Sequence, residues 1–224
     1  HRVIGWLMIL VGPTAEPPSN SDPPPRQVEA QKRYAAGVLA VKRGLFLDAV
    51  KAFEDSLRLD PEALPPRRML SRHYLTVGRP DDALAMAKQV AEREPADPEA
   101  WHLYASQLHD RGRAAEAISA QWRAIAYASA SRVQDKLAVW LKELATWARA
   151  NRDWKSAESA LRRFLELLQH NRDEFLRSGF FAEEEWFHEV ALAWERLGET
   201  LLDLDRPDDA ETAFDKRETS RLTF

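Results

Sequence analysis

Six histidines, His1, His73, His102, His109, His170 and His188, are the side chains here best able to hold a metal or carry a proton. A metal site on one helix needs ligands three or four residues apart, with carboxylates converging on them. His102 and His109 lie seven apart and share a helix face, but Asp110 points elsewhere. His188 follows Glu185 by three residues, an ordinary helical neighbour. The run Glu183-Glu184-Glu185 suits a helix start, where the dipole favours acid, better than it suits a pair of catalytic carboxylates. With no cysteine, disulfides, thiolate-bound zinc, iron–sulfur clusters and a thiol nucleophile are excluded. No two of the eight glycines sit two apart, so Gly-x-Gly phosphate loops and the Gly-x-Ser-x-Gly elbow are absent. No Ser/His/Asp spacing stands out. The expectation is a protein without catalytic residues, metal or cofactor, and with no small-molecule substrate.

The elements that must position these side chains are helices. Leucine (27) and alanine (34) far outnumber valine (11) and isoleucine (4), and the first two lose little in a helix while strands want the branched pair. At 224 residues, one or two domains with a real core are expected. Thirty-two Lys and Arg against 36 Asp and Glu leave a net charge of −4, which argues against nucleic acid as a partner.

Residues 3–11 (VIGWLMILV) are apolar throughout, with Arg2 before them and Gly12-Pro13 after. A membrane span needs about 20 apolar residues. Residues 1–12 are therefore expected to be the end of a transmembrane or signal-anchor helix whose start precedes His1. Two alternatives stand beside it: an uncleaved signal-peptide core, and a segment docked on the body through Trp6. Arg2 on the near side places the body in the periplasm or its equivalent. Residues 13–27 hold six of the 13 prolines and no large apolar side chain, and read as an extended linker. Residues 28–224 form the body.

That body repeats. Arg79-Pro80-Asp81-Asp82-Ala83 recurs verbatim as Arg206-Pro207-Asp208-Asp209-Ala210. With this alanine as a ruler, Ala49, Ala83 and Ala117 are spaced by 34 residues, followed by Ala157 and Ala210 at longer steps. Gly44, Gly78 and Gly112 suit a left-handed turn before the second helix of a pair. Asp48, Asp81 or Asp82, Asp153, and Asp208 or Asp209 suit the cap of that helix. Phe53, Leu161 and Phe214 follow their alanines by four residues; Ala87 and Gln121 depart from that pattern. Trp194, Leu197 and Gly198 give the best first-helix match, an aromatic followed by Leu and a small residue.

A 34-residue helix–turn–helix period of this kind resembles the tetratricopeptide repeat. The resemblance covers residues 30–224 and implies an all-α, right-handed superhelical array of about five units: 30–63, 64–97, 98–131, about 138–171 and about 191–224. The last two units are expected to carry lengthened helices of about 20–23 residues, as their apolar spacing runs on. A final unit also needs its apolar face covered. Either a partner or a further helix packs on Ala210, Ala213 and Phe214, or that stripe faces back onto the preceding helix.

In such repeats the first helix of each unit lines a concave groove. Mapped on this chain, Arg68, Arg72, His102, His109, Lys142 and Arg149 fall on that face, basic although the whole chain is acidic. The carboxylate clamp of some family members, with Asn at the ninth helix position, is not supported, because those positions hold Val38, Arg72, Ser106, Thr146 and Glu199. The resemblance implies a protein–protein interaction scaffold. One form is a membrane-anchored accessory subunit or assembly factor of a membrane or envelope complex, with other subunits as partners. The other is a soluble co-chaperone-like adaptor that binds an acidic peptide.

Overall fold

The computed structural model describes residues 25–130 and 134–221, all of the regular structure being helical. Eleven helices follow in order among these residues: α1 (Pro25–Lys42), α2 (Phe46–Leu59), α3 (Leu64–Thr76), α4 (Pro80–Arg93), α5 (Pro98–His109), α6 (Ala114–Ala130), α7 (Gln134–Ala150), α8 (Trp154–His170), α9 (Arg172–Ser178), α10 (Glu183–Asp203) and α11 (Pro207–Arg221). Each packs on the next, except that α8 passes over the short α9 to pack on α10. Five hairpins, α1–α2, α3–α4, α5–α6, α7–α8 and α10–α11, are the five units. The ruler alanines lie where the hairpin helices cross, and Ala49, Ala83, Ala117 and Ala157 are fully buried.

The hairpin turn has one recurring requirement. The residue five before each ruler alanine has positive φ: Gly44 (74°), Gly78 (75°), Gly112 (69°), then Arg152 (57°) and Asp205 (58°). A side chain in this region costs roughly 1–2 kcal/mol, which glycine avoids, at some cost in unfolded-chain entropy. Arg152→Gly is therefore expected to stabilise the protein by about 0.5–1 kcal/mol, with Asp205→Gly gaining less because aspartate tolerates the region better. The readout is a rise of roughly 1–4 °C in melting temperature, and an unchanged value for Arg152→Gly would show the turn to be unstrained.

The capping expectation is corrected in part. Only Asp153 caps as expected, its carboxylate accepting from the Ser156 amide at 3.1 Å. In α2 and α4 the residues at the cap are Leu45 and Arg79, and the aspartates lie inside the first turn. There they meet the helix dipole, and in α4 a neighbouring arginine as well. Arg79 bonds Asp82 and, across the turn, Glu54 of α2; Arg206 bonds Asp209 and Glu158 of α8. These bonds explain why the Arg-Pro-Asp-Asp-Ala motif recurs: its arginine ties each turn back to an earlier helix.

Of the second-half helices only α10, with 21 residues, reaches the expected length; α7 and α8 have 17 each, no more than α1 (18) and α6 (17) in the first half. The apolar run after Leu161 breaks at Asn171, whose amide and side chain both bond the Leu167 carbonyl and close α8. In α11, Ala210 and Ala213 are buried and Phe214 packs on Gly198, so the apolar stripe faces back onto α10 while Asp215, Lys216 and Glu218 face water.

The buried apolar residues divide into two clusters. A small one joins Ala49, Val50, Phe53, Leu70, Tyr74 and Ala83. A large one begins at Val90 and Ala91, near the end of α4, and runs to Ala213.

The membrane anchor and the periplasmic placement built on it are corrected. No helix among the described residues is long and apolar enough to cross a membrane. Even α1, the one nearest the apolar run, carries Arg26, Glu29, Lys32, Arg33 and Lys42. Residues 3–11 themselves lie outside the described residues, as do most of the proline-rich segment and Leu222. The helical body begins at Pro25, ahead of the expected boundary at 28.

Candidate partner-binding face

Four of the six residues expected to line the groove are held within the chain by hydrogen bonds or close ion pairs, and a fifth, His109, by stacking on Trp147. The Arg68 guanidinium, on α3, bonds Glu94 and Asp97 in the connection between α4 and α5. Lys142 and Arg149, on α7, reach Glu189 and Glu199 on α10, each at 2.5 Å. Lys136 of α7 pairs with Glu99 of α5 in the same manner. The pairs made by α7 staple it to the first helices on either side, and Arg68 ties α3 to the connection that leads into α5. A partner's carboxylate would have to compete with acids already in place. His102, the fourth, is hydrogen-bonded to Gln121.

The seam between α5 and α7 is built differently. His102 stacks on Trp140 with ring centroids 4.7 Å apart and planes at 22°, and His109 stacks on Trp147 at 4.4 Å and 15°. The seven-residue spacing within each helix makes this a ladder of two equal rungs. Both indoles are buried, while the imidazoles above them keep 26% and 38% of their side-chain surface in water. The imidazoles therefore form the wet surface of an aromatic floor.

Two further residues complete the seam. Gln121 of α6 is fully buried at the position where three of the other four units place Phe or Leu. Its Nε2 donates to the Trp140 carbonyl at 3.2 Å, which turns its Oε1 toward His102 Nδ1, 3.0 Å away. Glu143 of α7 sits between the rungs, with Oε2 3.7 Å from His102 Nδ1. That oxygen is buried without a hydrogen-bond partner. Burial raises the Glu143 carboxyl above the ordinary carboxylate range, and the two histidines oppose the shift. Arg72, alone of the expected cations, is exposed with no acid partner given to it by the structure.

Sequence reasoning placed all six residues on one face but did not foresee their internal acids, nor Gln121, Glu143, Trp140 and Trp147 as parts of the site. The departure of Gln121 from the unit pattern was the available signal. A second surface also went unforeseen. Leu45, Phe46 and Leu47 are exposed around a cleft of about 580 Å³ at the first hairpin turn. Among the described residues no group of three or more potential ligands could hold a metal ion.

Two family models match, both described as tetratricopeptide repeat, over residues 40–107 and 191–216. Solved structures share the fold at low identity. MamA is 19% identical over 86% of this chain and 91% of its own, with a TM-score of 0.59. MamA from Desulfovibrio magneticus RS-1, residues 41 to the end, is 19% identical over 63% of this chain and 76% of its own, at 0.53. YrrB, a TPR protein with an unusual peptide-binding site, is 13% identical over 87% of both chains, at 0.59. No curated protein matches the sequence at a significant level.

Proposed function

Because the chain is built of tetratricopeptide repeats, we propose that it is a protein–protein interaction scaffold holding an acidic segment of its partner along the first helices of units two to four. The observation that carries this reading is the division of labour on that face. Ion pairs hold the helices together on both sides, and between them Arg72, His102 and His109 remain turned to water. The ligand is then an extended or helical peptide whose carboxylates meet these groups. YrrB, which shares the fold, has a peptide-binding site, and a peptide is the occupant assigned to this groove as well. The chain acts as an accessory subunit or adaptor in its partner's complex.

Exposed charges act mainly on encounter rate and specificity, and salt screens them. Arg72→Glu is expected to weaken binding of a fluorescein-labelled polyglutamate peptide about tenfold, or roughly 1.4 kcal/mol, at low ionic strength. Fluorescence anisotropy reads the binding, and an unaltered far-ultraviolet circular dichroism spectrum checks the fold. Equal binding by the variant would remove the groove as the site.

A further inference from the structure

We infer that His102 and His109 are proton-dependent receptors for the partner's carboxylates, so that the groove takes up protons as it takes up its ligand. The inference rests on the proposed groove and adds its regulation. Three features of the α5–α7 seam carry it.

The first is the tautomer that Gln121 imposes. Its Nε2 is committed to the Trp140 carbonyl, so its Oε1 must accept, and His102 Nδ1 must donate. In the neutral ring the proton is then on Nδ1, and Nε2 is a lone-pair acceptor that repels a carboxylate. Adding a proton turns Nε2 into a donor without disturbing the Gln121 bond. Gain of one proton thus reverses the sign of the recognition.

The second is the platform. Both imidazoles lie almost parallel to an indole face at stacking distance. An aromatic face attracts a cation, so each indole accepts the imidazolium without rearrangement. The two rungs are seven residues apart on α5, about 10.5 Å along the helix. Partner carboxylates at matching intervals on an extended or helical segment would reach both.

The third is the set of charges facing the rings. On α5 itself, Asp110 approaches His109 Nδ1 at 3.8 Å. On α7, Glu143 faces both rings, while Lys136, Lys142 and Arg149 are matched by Glu99, Glu189 and Glu199. On α6 the neighbour is the neutral Gln121. On α3, Arg68 is matched by Glu94 and Asp97, and Arg72 is unmatched. With Arg68 and Arg72 counted against Glu94 and Asp97, and Lys136, Lys142 and Arg149 against Glu99, Glu189 and Glu199, these charges cancel, so the net charge of the seam is decided by the two histidines against Glu143 and Asp110. Histidine is the side chain whose charge ordinarily changes between about pH 5 and 8. The balance therefore moves toward positive as the pH falls through that range, and an acidic ligand gains.

The experiment uses the whole chain and the labelled polyglutamate peptide. Binding is measured by anisotropy between about pH 8 and pH 6, where glutamate stays ionised. The wild type is expected to bind at least tenfold more tightly at the lower end. His102→Asn with His109→Asn is expected to bind with an affinity that hardly changes across the range, with its response to Arg72→Glu retained. Tryptophan fluorescence gives a readout without ligand. Stacked imidazolium quenches indole emission, so the wild type should lose emission as the pH falls, and the double variant should not. Wild-type binding that is equal at both ends overturns the inference and leaves the groove standing. Failure to bind at any pH overturns the groove, and the inference with it.

Discussion

Replacing Phe53 with alanine is expected to unfold units one and two while units three to five remain folded. Phe53 is fully buried, its ring pressed against Gly37 and within 5.7 Å of the Tyr34 ring. A Cβ added at Gly37 would lie 2.5 Å from the Phe53 ring, so the two positions were fitted to each other with no spare volume. Truncating a buried phenylalanine costs about 3–5 kcal/mol, since the cavity adds to the lost burial. Phe53 belongs to a cluster of only six buried residues. In a repeat array, stability is approximately a sum of unit and neighbour contributions, so the loss stays local. Hydrogen exchange should show protection lost over residues 25–93 and kept in α7, α8 and α10. A uniform loss along the chain would show that the two clusters fold as one.

The counterpart is Leu144→Ala. Leu144 is fully buried on α7, within the large cluster that spans most of the array. The expected cost is about 2–5 kcal/mol. At roughly 2–4 °C per kcal/mol for a protein of this size, the main thermal transition should fall by about 5–15 °C. Scanning calorimetry reads it, and a fall below about 2 °C would mean that the site closes around the missing atoms.

The 34-residue alanine spacing made the five hairpins legible, because small residues are required wherever paired helices cross. The same ruler marks the left-handed turn position in every unit, yet it was read only where glycine stood there. Arg152 and Asp205 carry no such signature, as backbone strain leaves no trace in residue type. The groove residues were legible by position, but their state was not. Glu189 and Glu199 lie in a different unit from Lys142 and Arg149, and only the stacking of α10 beside α7 brings them together. The two His–Trp rungs were equally hidden, although both pairs share a seven-residue interval that becomes meaningful once α5 and α7 are neighbours. Residues 3–11 misled for another reason. Apolar character alone says that a segment wants cover, not what kind of cover it has.

The two clusters meet at α4, which gives Ala83 to the small one and Val90 and Ala91 to the large one, and beside these apolar contacts the seam carries hydrogen bonds and an ion pair. Gln107 of α5 donates to the Ser71 carbonyl at 2.8 Å, Arg68 binds Asp97 at 2.5 Å, and Arg111 bonds the Pro80 carbonyl. Hydrogen bonds exchange with water at a small net cost, whereas opening an apolar contact exposes oil to water over its whole area. Water can therefore take the place of these bonds one at a time, while Val90 and Ala91 keep the second hairpin fixed to the third through the large apolar cluster.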